Sequence, residues 1–92
     1  MFTVILDNND KKTPLYMQLY YHIKSEIESG NIKGGEKLPS KRELASHLKI
    51  SIVTVETAYS QLTAEGYIRP KAGSGFYAEQ LFEKTKNENK EI

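Results

Sequence analysis

Apolar side chains recur every four residues at Leu15, Leu19, Ile23 and Ile27, with Tyr16, Met17 and Tyr20 widening the stripe, and this spacing predicts an amphipathic helix. Thr13 before Pro14 marks its start, because threonine can cap free amides and proline at the first helical position forfeits no intrahelical bond. Gly30 supplies a left-handed stop. Ahead of this helix, the β-prone run 2–6 and the polar run 7–12 read together as an extended arm, residues 1–12. The loop 31–39, with Gly34 and Gly35, can lend two or three extended residues to a small sheet. Ser40 with Glu43 three positions on is a capping box, in which each side chain serves the other's backbone amide. It predicts a second helix running to about Lys49 with Leu44, Ala45 and Leu48 inward. After the apolar plug Ile50, Ser51 caps a third helix over 52–65 that turns Val55, Ala58, Tyr59 and Leu62 inward and stops at Gly66. The period then changes to two. Residues 67–70 read as a strand, 71–75 as a glycine-bearing turn and 76–78 as the returning strand, whereas 79–92, rich in Lys, Glu and Asn, read as a polar linker or frayed helix.

Helix, short extended piece, helix, tight connection, helix and hairpin is the order of an α+β, mainly α, winged helix-turn-helix, expected over residues 13–78. Composition narrows what such a unit can do. With 92 residues there is room for one small domain, and the absence of cysteine excludes disulfides, thiolate zinc sites and thiol catalysis, which suits a reducing cytoplasm. The apolar run near the start is too brief for a signal core or a membrane span, so a cytoplasmic chain without membrane attachment is expected. A net charge of +1 does not by itself announce a nucleic-acid binder, but the charge is unevenly placed. Lys33, Lys37, Lys41, Arg42 and Lys49 face only Glu36 and Glu43 in the middle of the chain, and Arg69 and Lys71 form a second basic spot.

Physical logic leads from that arrangement to double-stranded DNA. A short helix with a free, serine-capped N-terminus fits the roughly 12 Å wide major groove, offers its first-turn side chains to base edges and favours phosphate at its positive end. Ser51, Ile52, Val53 and Thr54 are the candidates there. Ser40, Lys41 and Arg42 open the preceding helix and are placed for phosphate, with Arg42 also able to fork onto a guanine. Lys71 and the tip Gly73-Ser74-Gly75 can approach the minor groove or the sugar-phosphate edge, where glycine lets backbone come close. Two assignments stay open: Tyr59 is either a core residue with a surface hydroxyl or a phosphate contact, and Ser74 is either a turn former or a contact. The alternative from another class is a winged-helix protein-interaction module without direct DNA binding, since Tyr16, Tyr20 and Tyr21 cannot all be buried in one small core. Catalysis has no frame. Gly73-Ser74-Gly75 runs into a strand rather than a helix, His22 and His47 lack second ligands at metal spacing, and no carboxylate pair or nucleophile triad is placed, so no enzyme activity, metal or cofactor is expected in this chain.

The ordered runs Thr13-Pro14-Leu15-Tyr16-Met17-Gln18-Leu19-Tyr20, Gly35-Glu36-Lys37-Leu38-Pro39-Ser40-Lys41-Arg42-Glu43-Leu44-Ala45, Ala64-Glu65-Gly66-Tyr67-Ile68 and Gly73-Ser74-Gly75-Phe76 resemble the N-terminal reader domain of GntR-family bacterial transcriptional regulators. The resemblance covers roughly 13–78 and implies a DNA-binding winged helix that reads with its third helix and works as a homodimer on a palindromic or repeated operator. Within the family the chain is most similar to MocR-type regulators and next to YtrA-type ones. MocR-type regulators carry a C-terminal aminotransferase-like domain that holds pyridoxal phosphate. That domain is not in this sequence, which is expected to be an excised or truncated reader. The chain departs from the family pattern where arginine often follows the serine of the third helix: here stand Ile52 and Val53, and Glu56 replaces a base seen in some relatives. Val53 can meet thymine methyls, Ile52 can do so or pack beneath the helix, and Glu56 can accept from a cytosine amino group or pair with a nearby lysine.

Overall fold

Three helices precede one hairpin: α1 Leu15–Ser29, α2 Lys41–Leu48, α3 Ile52–Ala64, β1 Ile68–Lys71 and β2 Gly75–Ala78. The structure, a computed structural model, describes residues 6–7 and 12–80, so most of the expected arm, and residues 81–92 of the expected linker, lie outside the described residues.

The start of α1 differs by one position from the sequence expectation. Pro14, at φ −58° and ψ 157°, is itself the cap residue rather than the first helical one, and its carbonyl accepts the amides of Met17 and Gln18 at 3.0 and 3.1 Å. Thr13 therefore stands outside the helix, in keeping with the extended geometry a following proline imposes. The Gln18 side chain fills the space instead. Its Nε2 donates to the carbonyls of Thr13 (2.7 Å) and Asp7 (2.9 Å), while its Oε1 accepts the Asp7 amide at 2.7 Å. Leu6 packs against the core beside this clamp.

The capping box of α2 is present in full: Glu43 N donates to Ser40 Oγ, and Ser40 N donates to Glu43 Oε1, both at 3.0 Å. At its other end Lys49 takes a left-handed conformation, φ 60°, and the amide of Ile50 returns to the carbonyl of Ala45 at 3.0 Å. That reversal turns the chain within a few residues and lets Ser51 begin α3, whose cap bond is Thr54 N to Ser51 Oγ at 3.1 Å. The inward stripe predicted for α3, Val55, Ala58, Tyr59 and Leu62, is buried and meets Leu19, Tyr20, Ile23 and Ile27 of α1 in one core.

β1 and β2 are antiparallel, with Ile68 opposite Ala78, Arg69 opposite Tyr77, Pro70 opposite Phe76 and Lys71 opposite Gly75. The turn is tighter than its sequence suggests: Lys71 and Gly75 belong to the strands, and only 72–74 form the loop. Ser74 N donates to Lys71 O at 2.9 Å, and Gly73 at φ 76° occupies the position that a type II turn reserves for glycine. The loop before α2 supplies the expected extended piece. Lys37 bridges Tyr77, Leu38 N donates to Phe76 O and Ala78 N donates to Glu36 O, both at 2.9 Å. Alternation along β2 therefore points Phe76 and Ala78 to the helices and Tyr77 away from them.

Two further contacts tie α1 to the far end of α3. The Tyr20 hydroxyl donates to the Glu65 carboxylate, and the Tyr67 hydroxyl donates to Glu28 at 2.9 Å. The bond to Glu65, with burial second, pushes the Tyr20 phenol from 10.0 up to about 12, and the same bond lowers the Glu65 carboxyl.

Candidate nucleic-acid interface

The leading end of α3 is open. Ser51, Ile52 and Val53 are exposed, Val53 to 66% and Ile52 to 37%, and no acidic residue sits in the first turn to cancel the helix's positive end. Ile52 thus presents an apolar edge to solvent. Ser51 Oγ lies 2.9 Å from Thr54 Oγ1, and Thr54 is half-buried, so these two hydroxyls are held by the cap while Val53 stands clear.

The start of α2 is fixed to α3 and the wing through aromatic rings. Tyr59 is 1% exposed, and its hydroxyl donates to the carbonyl of Pro39, the residue before the α2 cap, at 2.7 Å. Burial holds this phenol well above its ordinary range. Of the two readings left open for Tyr59, this geometry supports the core one: its proton is given to backbone, and its ring is inside. That ring meets Phe76 edge-on, with centroids 5.1 Å apart, and the Lys41 ammonium lies over the Phe76 ring, 5.5 Å from its centroid. Lys41, Glu56, Ser60, Pro70 and Phe76 line one groove of about 370 Å³ between α3 and the hairpin. Arg42, exposed beside Lys41, and Val53 lie outside that lining.

At the wing, the Lys71 ammonium lies 5.6 Å from the centroid of the Tyr77 ring. Ser74 is half-buried with its hydroxyl bonded to that of Tyr77, so its turn-forming role is filled, while Gly73 is exposed at the tip. Gly75 is a strand residue where a Cβ would lie 3.4 Å from Lys37 Cε, which places the Lys37 stem across the sheet. Sequence reasoning did not single out Phe76 as the seat of Lys41. The one signal for Phe76 was its place as the first apolar residue after the glycine turn.

Among the described residues no cluster of His, Asp and Glu is arranged to hold a metal ion, none of the charged side chains is buried, and no helix is long and apolar enough to cross a membrane.

Residues 15–78 match the family model described as bacterial regulatory proteins, gntR family. A curated relative, an HTH-type transcriptional regulator YhdI of Bacillus subtilis, is 49% identical over 79 residues, which is 86% of this chain but 17% of that protein's length. Among solved structures, YtrA from Sulfolobus acidocaldarius, a GntR-family transcription factor, superposes with a TM-score of 0.78 at 32% identity, covering 96% of this chain and 93% of that one. The AraR DBD in complex with operator ORE1 is similar at a TM-score of 0.68 and 27% identity, over 85% of this chain and 94% of that one. The family match runs from the first turn of α1 to the end of the wing, and the chain belongs to the gntR family of bacterial regulatory proteins.

Proposed function

We propose that this chain is the DNA-reading module of a bacterial transcriptional regulator and that it binds duplex DNA sequence-specifically with α3 in the major groove. The observation that carries the reading is the open, serine-capped end of α3 with Val53 exposed, together with Lys41 at the groove between α3 and the hairpin and the exposed Arg42 next to it in α2. Val53 and the exposed edge of Ile52 meet base edges, above all thymine methyls, while Ser51 and Thr54 hold the helix end. Ser40, Lys41 and Arg42 contact the backbone, with Arg42 able to reach guanine. Lys71 and the tip around Gly73, Ser74 and Gly75 follow the minor groove or its phosphate edge. The AraR DBD, similar over most of this chain, was solved with its operator, which supports the same mode here.

Regulators built this way work in the cytoplasm as homodimers on two half-sites, and we assign this module to that setting, without catalytic activity of its own. We favour a long MocR-type architecture over a short YtrA-type one, with the length of YhdI, of which the chain spans 17%, in support. Any pyridoxal phosphate would then belong to a C-terminal domain: no described lysine is buried, and the residues here do not fit that group.

The test is an anisotropy titration against random duplex across a salt series, followed by selection from a random pool. Salt-sensitive binding, enrichment of a thymine-containing half-site and a loss of about 1–3 kcal/mol in Arg42→Ala are expected. Binding that is absent at low salt would favour the interaction-only module.

A further inference from the structure

The two-stranded wing carries one isolated bridge beyond its hairpin, in which Lys37 pairs with Tyr77 on the side away from Arg69. Residues directly opposite each other in antiparallel strands share a face. Lys37, Tyr77 and Arg69 therefore form one row across the sheet. Lys71, paired with Gly75, stands in the next row on the same face, and its ammonium reaches back to within 5.6 Å of the Tyr77 ring centroid. The other face is spent on the core through Ile68 and Ala78, with Phe76 packed against it and Pro70, opposite Phe76, exposed.

The outward face is thus cationic. Lys37, Arg69 and Lys71 are exposed around a half-buried Tyr77, and the acidic group beside them is Glu79, whose Oε1 is 3.5 Å from Arg69 Nε. Three positive side chains ordered by a sheet, one lying on an aromatic ring and one crossing a glycine, present charge at strand spacing rather than on scattered flexible stems. A duplex running past the wing carries one phosphate charge about every 1.7 Å along its axis and is the partner whose charge complements this face.

Resting on the reading that α3 docks in the major groove, we infer that the outer face of the wing sheet is a second backbone-binding surface, which grips duplex flanking the half-site through Lys37, Arg69 and Lys71. It adds affinity without reading sequence. Position 75 suits glycine because of its φ of 127°, and the Lys37 stem passes it at van der Waals distance, 3.4 Å from where a Cβ would stand.

The experiment uses the whole chain and two sets of duplexes: one confined to the selected half-site, and one extended by about ten base pairs, one helical turn, at either end in turn. Wild type should bind one extended duplex more tightly than the short one at low salt. The variant Lys37→Gln/Arg69→Gln should lose that gain while binding the short duplex as wild type does. On the extended duplex its slope of log affinity against log salt should be shallower by about 1.8, two phosphate contacts at 0.9 each. Single variants and melting temperatures guard against a folding effect. An extension that adds nothing for wild type, or a variant that loses equally on both duplexes, overturns the inference while leaving the α3 reading intact. If wild type binds neither duplex, the α3 reading itself fails and this surface with it.

Discussion

Replacing Tyr59 by phenylalanine separates the two roles that its sequence position left open. The ring stays buried and keeps its edge-on contact with Phe76, so packing is preserved and only the hydroxyl is lost. That hydroxyl donates to Pro39 O at 2.7 Å, and Pro39 is half-buried, so the variant loses one hydrogen bond and leaves a poorly solvated carbonyl without its donor. A net bond is worth about 0.5–1.5 kcal/mol and an unsatisfied buried acceptor about 1–3, which bounds the destabilisation at about 1–2 kcal/mol. In a domain of this size each kcal/mol moves the melting temperature by about 4–8 °C. Differential scanning calorimetry of Tyr59→Phe should therefore show a fall of about 5–15 °C. DNA affinity at a temperature where both proteins are folded should stay within about twofold, or 0.4 kcal/mol. The opposite pattern, an unchanged melting temperature with weakened binding and a salt slope reduced by about 1, would make Tyr59 a phosphate contact and refute its placement as a packing pin.

The Tyr20–Glu65 bond makes stability depend on pH at both extremes. A phenol raised from 10.0 to about 12 in the folded state contributes stability that is complete below pH 10 and lost as pH rises toward 12; a carboxyl lowered from 4.5 contributes above that value and loses its share as pH falls through the lowered one. Urea midpoints of Tyr20→Phe should thus decline less steeply at both ends, with Tyr59 and Tyr67, also raised, keeping part of the alkaline limb; a variant profile parallel to wild type at both ends would count against the bond. For Val53, removal of the methyl groups of thymine by substitution with uracil in the selected half-site should weaken wild type by about 0.8 kcal/mol per buried methyl, roughly fourfold, and leave Val53→Ala indifferent. Equal binding of both duplexes by wild type would remove the methyl readout.

What was legible in the sequence was local. The four-residue spacing of α1, the Ser40–Glu43 box, the Ser51 cap and the inward stripe of α3 are each decided within a turn or two of chain, and the structure places them as read. The misplacement of the α1 cap by one residue has a local cause as well: Thr-Pro satisfies the cue for a cap followed by a first helical residue, yet the extended ψ of Pro14 makes proline the cap and transfers the satisfying contacts to Gln18. At the wing, a run of turn-forming residues concealed that Lys71 and Gly75 pair. The bond from Tyr59 to Pro39, the seat of Lys41 on Phe76 and the Lys37–Tyr77 bridge join residues far apart in sequence, and no spacing rule within one helix or strand reports them.

Those distant contacts explain how a small core holds an interface made of separate elements. Phe76 faces inward, touches the Tyr59 ring that is tied to the doorstep of α2, and seats Lys41 from that helix; Tyr77, one residue later, faces outward and seats Lys71 from the neighbouring strand. A strand of four residues thereby sets the position of cations on both sides of the wing. Because side chains alternate, a slip of one residue would carry the Tyr77 hydroxyl into the core, put Phe76 in water and move both lysines off their rings. Register is guarded at the hairpin tip, where Gly73 at φ 76° closes a three-residue loop that a β-branched side chain would strain, and at the strand edge, where Lys37 locks Tyr77 from the other side. The reading helix and its flanking charges are in this way one rigid arrangement, since the residues that space them are the residues that fill the core.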